Sequence, residues 1–91
     1  MYYLSVAGTK FTWDPRKAAS NARDHRVGFE EAATVFDDLG AYYEEDRGAD
    51  ELRVAVIGFS SVSRLLFVVF IEVEDDVVRI ISARKVESHE R

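Results

Sequence analysis

Residues 64–74 read RLLFVVFIEVE, and this run constrains the fold more than any other stretch. Its apolar core, LLFVVFI, is rich in β-branched and aromatic side chains, which suit a strand. A strand with almost no polar alternation is buried on both faces and sits in the middle of a sheet. It falls far short of the roughly 18 apolar residues that would span a membrane. The flanking sequence supplies its neighbours. LRVAVIGFS (52–60) precedes it across a short turn at SVS (61–63). VVRIISAR (77–84) follows across Asp75-Asp76, a two-residue turn.

The remaining chain must cover this sheet. Ninety-one residues make a single small domain, 1–91, and 47% hydrophobic content supports one core. Residues 1–9 read as a short strand or a partly ordered tail. Phe11 and Trp13 alternate with Lys10 and Thr12 as in a brief half-buried strand. Asp14-Pro15 then pairs a good N-cap with a favoured first helical residue, predicting a helix through PRKAASNARDH. Ala18, Ala19 and Ala22 give it a small-residue face. Gly28 breaks the pattern and FEEAATVFDD begins a second helix, with Phe29, Ala32, Ala33 and Phe36 on one apolar stripe. Glu30 and Glu31 occupy its first turn, where the helix dipole favours acids. From Ala41 the period changes to two: AYYEE (41–45) predicts an edge strand and EDRGADE (45–51) a polar loop. The expected class is α+β, β-α-α-β-β-β-β, with two N-terminal helices packed on one face of an antiparallel sheet.

Ideal hairpin registers sort the strand residues into two faces. If Glu74 faces Val77 and Ser60 faces Arg64, one face holds Ala55, Ile57, Phe59, Leu65, Phe67, Val69, Ile71, Val78 and Ile80. This is the expected core face. The other holds Val54, Val56, Arg64, Leu66, Val68, Phe70, Glu72, Arg79, Ile81, Ala83 and Lys85. No helix remains to cover it, so it is the expected partner or substrate surface. A slip of one residue would exchange the two sets.

Net charge is −5, which argues against a generally adhesive nucleic-acid binder. The charge is uneven, though. Residues 30–51 carry nine acids and one base, whereas residues 10–26 carry five bases and two acids. Folding can therefore still gather a positive site. With no cysteine there is no disulfide and no thiolate zinc site, and the two histidines lie far apart in sequence. No cofactor or metal is expected. The N-terminus lacks the basic start and apolar stretch of a signal peptide, so the chain reads as cytoplasmic.

Three segments together carry a resemblance: FTWDPRKAASNARDHRVGFEEAATVFDD, IGFSSVSRLLFVVF and RIISARK. In this order, across roughly residues 11–87, the chain resembles the BrnT family of type II toxin–antitoxin toxins. Trp13, Asp14, Lys17, Ala18, Asn21 and His25 match one family pattern, and Phe29 to Ala32 match the next. Ser63 stands where glycine is usual, and Phe70 where tyrosine is common. The resemblance implies a RelE-like ribonuclease fold and a toxin that cuts RNA and stops translation. It also implies neutralisation by a BrnA-type ribbon-helix-helix antitoxin, through which alone it meets DNA. The implied assembly is a heterotetramer with the antitoxin; the uncovered apolar face makes a homodimer the other expected assembly.

Metal-independent RNA cleavage uses the 2′-hydroxyl as nucleophile. It needs proton transfer at two oxygens and cations at the phosphorane. Arginine suits the phosphate because its fork bonds in pairs and keeps its charge. Arg64 and Arg79 are the first catalytic candidates, because the ideal registers put both on the uncovered face. The plainer alternative for Arg79 is an ion pair with Glu72. Arg84 and Lys85 are candidates for RNA phosphate, or else solvated strand-end charges that dock an acidic antitoxin segment. Lys17, Asn21 and His25 share one line of the first helix. His25 is a candidate acid or base and Lys17 a further cation; otherwise they are a helix-end histidine and an exposed lysine. Trp13 either stacks on a base or anchors the helix start, and Asp14 is the cap. A rival class keeps the same face but not the chemistry: a degenerate toxin homologue acting as a protein-binding module or co-repressor.

Overall fold

The computed structural model describes residues 4–46 and 53–87. Two short strands come first, β1 (Leu4–Val6) and β2 (Thr9–Thr12). Helices α1 (Pro15–His25) and α2 (Phe29–Thr34) follow, and α2 tightens into a 3-10 turn at Val35–Asp37. Four strands complete the chain: β3 (Tyr42–Asp46), β4 (Arg53–Phe59), β5 (Leu65–Glu74) and β6 (Val77–Lys85). The α+β class and the four later strands are as expected. The polar loop expected at 45–51 lies largely outside the described residues.

Two features of the expected architecture are corrected. The helices are not N-terminal. A β-hairpin precedes them, so the RelE-like order β-α-α-β-β-β-β gives way to one with two leading strands. Nor is the sheet wholly antiparallel. Its order is β1-β2-β6-β5-β4-β3, and β2 runs parallel to β6, with Phe11 opposite Val78. The helices together with β3–β5 make the long connection that a parallel pair requires. Leu4 and Phe11 pair within the leading hairpin, and Phe11 is fully buried, which fixes these few residues as strand rather than tail.

Local chemistry sets both helix starts. The Asp14 carboxylate accepts the Arg16 N–H at 2.8 Å, and Pro15 opens α1. Gly28 caps α2 without a side-chain bond. Arg26, in the left-handed region at φ 60°, ends α1. Phe29, Ala32, Ala33 and Val35 then turn inward and meet Val56, Leu66, Val68, Phe70, Val78 and Ile80. Each large side chain fully withdrawn from water here contributes about 1.5–3 kcal/mol.

The covered face of β4 and β5 is therefore the set that was expected to be open. Val56, Leu66 and Val68 are completely buried, whereas Ile57, Leu65, Phe67 and Val69 are partly exposed and Phe59 is 54% exposed. The expected pairings Ser60–Arg64 and Glu74–Val77 do form. The error is one of phase, because two apolar faces give alternation nothing to choose between. Gly58 marks the covered side: a Cβ there would come within 3.0 Å of Val35, Asp38 and Ala41, where the 3-10 turn crosses the sheet.

Candidate functional site

Arg64 does not lie on the open face. It projects toward α2, where its Nε donates to Glu31 at 2.9 Å and its Nη2 donates to the other Glu31 oxygen. A second Nη2 bond reaches the Arg26 carbonyl at 3.0 Å. Ser60 also donates to Glu31, at 2.7 Å. The hydrogen bond from Arg64 is the main cause holding the Glu31 carboxyl below its ordinary range, against the opposing pull of burial. Glu31 in turn raises the Arg64 pKa. This cluster ties the β4–β5 turn to the corner between the helices. The expectation that Arg64 and Arg79 share a helix-free face is thus overturned. Position 64 belongs with Leu66, on the side the helices cover.

Arg79 does face away from the helices. It pairs with Ile71, while Glu72 pairs with Val78 on the opposite face, so the alternative ion pair with Glu72 falls away. Strict alternation would send Arg84, five residues on, to the other side. A β-bulge prevents this: Val69 pairs with Ser82 but Phe70 with Ile80, leaving Ile81 as an extra residue in β6. Alternation restarts after Ile81. Ala83 turns into the core, and Arg84 comes out opposite Phe67 on the same face as Arg79. Its guanidinium lies 4.6 Å from the Phe67 ring centroid, within cation–π range. Lys85 pairs with Leu66 and belongs to the helix-covered side, which corrects its placement beside Arg79. The opposite margin of the open face is acidic, with Glu44 paired to Ala55.

Helix α1 runs beside β6 where β2 has ended. Asn21 makes that seam. Its amide nitrogen donates to the carbonyls of Ala83 (2.8 Å) and Val27 (3.0 Å), and its oxygen accepts the Ala83 N–H at 3.1 Å. One buried side chain thus supplies β6 with the two bonds a neighbouring strand would make. Lys17 and His25, one turn to either side of Asn21, line a shallow groove with Ser20, Asp24, Ile81 and Ser82. Ser82 belongs to the open face, so the groove adjoins the arginine-bearing side of the sheet. Trp13 is in the core, its ring edge-on to Phe29 at 5.9 Å, and is not a base-stacking platform. Asn21 stood in line with Lys17 and His25 in the sequence, but its partner 62 residues away was not readable there.

Among the described residues no group of three His, Cys, Asp or Glu side chains could hold a metal ion. No helix among them is long and apolar enough to cross a membrane.

The family model of the ribonuclease toxin BrnT, of type II toxin–antitoxin systems, matches residues 13–90. The chain belongs to this family. A BrnT-family chain is thus a type II toxin, of a family described as ribonucleases. No curated protein matches it. Among solved structures, the Brucella abortus ribonuclease toxin BrnT is similar, with 19% identity and a TM-score of 0.65. The likeness covers 86% of this chain and 96% of that one, and shows the shared BrnT fold.

Proposed function

We propose that this BrnT-family toxin cleaves RNA without a metal, on the β6 side of its open sheet face, and thereby inhibits translation. The observation that carries the reading is the Ile81 bulge, which puts Arg79 and Arg84 on one helix-free face beside the Lys17–His25 groove. In the proposed reaction the 2′-oxygen attacks the adjacent phosphorus and gives up its proton. The bond from phosphorus to the 5′-oxygen breaks, and that oxygen takes a proton as it leaves. The products are a 2′,3′-cyclic phosphate and a 5′-hydroxyl. His25 serves the proton transfers, a role that suits histidine near neutral pH. Arg79, with Lys17, offsets charge on the phosphorane oxygens. Arg84 holds the next stretch of backbone, because its partner Phe67 lies four residues from Ile71, about 13 Å along β5. The neutralising partner is a BrnA-type antitoxin. Arg64 keeps a structural role and Lys85 no direct one.

The test is cleavage of bulk RNA by the purified chain with divalent metal chelated. Arg79→Ala should lower the rate about tenfold or more, the scale of a lost charged contact in a transition state. Equal rates would remove Arg79 from the site. The protein-binding alternative is favoured by the −5 net charge. Expression without an antitoxin separates the two, since a catalytic toxin arrests growth and a binding module does not.

A further inference from the structure

The open face of the sheet is apolar along its centre. Ile57, Leu65, Phe67 and Val69 are partly exposed on it, and the rings of Phe59 and Tyr42 are 54% and 62% exposed. A continuous patch of this kind marks a contact surface. Its two margins carry opposite charge. Arg79 stands on β6 and Glu44 on β3, three strand spacings apart, or about 14 Å across the sheet. They lie at nearly the same height. Arg79 pairs with Ile71, and Glu44 is level with Val69 through Ala55, two residues along the same strand. Both side chains are exposed, and among the described residues neither has an ion-pair partner.

A surface with this layout is complementary to itself. We propose that the open face pairs two copies of this chain about a two-fold axis that runs along the strands, over the seam between β4 and β5. Rotation about that axis turns a second copy face to face with the first and lays its β6 over the first copy's β3. Each Arg79 then stands above a groove of about 330 Å³, which Glu44 lines with Ala55, Phe67 and Val69. Two Arg79–Glu44 contacts form, one on each side of the axis. Arg84 falls at the level of Tyr42, because Phe67 pairs with Arg84 and Ile57 pairs with both Phe67 and Tyr42, so its guanidinium meets that exposed ring. Along the axis Ile57, Phe67 and Val69 pack on their own counterparts, at the spacing of about 10 Å usual for stacked sheets. An axis across the strands would instead set β6 on β6, arginine against arginine. A basic partner covering the face would meet Arg79, and an acidic one Glu44; a second copy meets both with the opposite sign. The pairing does not rest on the nuclease reading, but its consequence does. The dimer hides Arg79 and is a resting form that RNA must displace.

Sedimentation equilibrium of the intact chain should show a reversible monomer–dimer equilibrium that weakens as salt rises. Glu44→Arg and Arg79→Glu each put two like-charge contacts into the interface and should weaken self-association about tenfold or more. Mixing the two variants should restore it, because in the mixed dimer both contacts again join opposite charges. On the nuclease reading, cleavage per chain should fall over the concentrations at which the wild-type dimer forms. A wild-type chain that stays monomeric, association that strengthens with salt, or folded variants that do not recover on mixing would overturn the proposal. Self-association with the expected charge pattern but no RNA cleavage would leave this inference standing and remove the nuclease reading. Cleavage by a chain that is monomeric at every concentration would do the reverse.

Discussion

At the scale of single residues, the fold depends on polar side chains whose partners are distant in sequence. Asn21 is 6% exposed and satisfies three backbone groups at once. Asn21→Ala strands those groups away from water, and stability to urea should fall by about 3 kcal/mol. Asn21→Asp should do at least as much harm, because a carboxylate would then face two carbonyl oxygens. Two carboxyls also link stability to pH. Glu31 is held below its ordinary range chiefly by Arg64, and Asp38 by the Phe59 and Gly40 N–H groups. Both sets of bonds exist only in the folded chain. As pH falls through the ordinary carboxylate range, the unfolded chain takes up protons first, and stability drops until the lowered folded values are passed. Urea midpoints should therefore be flat near neutral pH and decline in acid. Glu31→Gln and Asp38→Asn should each flatten the decline. The caps at Asp14 and Gly28 were legible in the sequence because their bonds are local. The choice of Glu31 for Arg64, 33 residues apart, was not.

At the scale of elements, β6 decides where the cations point. Its hairpin turn, Asp75-Asp76, was legible, as was the inward turn of Val78 and Ile80. The bulges at Val73 and Ile81 were not, because an extra residue leaves no mark on an apolar strand whose alternation is already blurred. The consequence is testable with neighbouring positions. Arg84→Ala should reduce RNA cleavage several-fold or more, while Lys85→Ala, on the other face, should leave it within about twofold. The reverse ranking in an initial-rate assay would mean that β6 alternates without the bulge. The phase of β4 and β5 was equally hidden. Gly58, which the crossing segment requires to be small, held the missing sign.

At the scale of the whole molecule, a net charge of −5 coexists with a basic flank. Arg79, Arg84 and Lys17 lie toward the β6 and α1 side, and Glu44 and Glu45 lie on β3 at the far margin. So few phosphate contacts should give RNA binding a shallow dependence on salt. Three contacts to a single strand predict a slope of about −2 in log K against log salt concentration. A slope far steeper, measured by fluorescence anisotropy, would require cations from elsewhere in the chain. The antiparallel core and the helix pair were visible in advance because each rests on local periodicity. The parallel pairing of β2 with β6 was hidden because it joins Phe11 to Val78 across nearly the full chain.

That pairing decides how the sheet is held together. β6 lies between β2 and β5, so its backbone hydrogen bonds join the leading hairpin to the β3–β5 meander. Any opening of β6 therefore breaks two ladders at once. Slow amide exchange along β2 and along β5 should be lost together, as one cooperative unit.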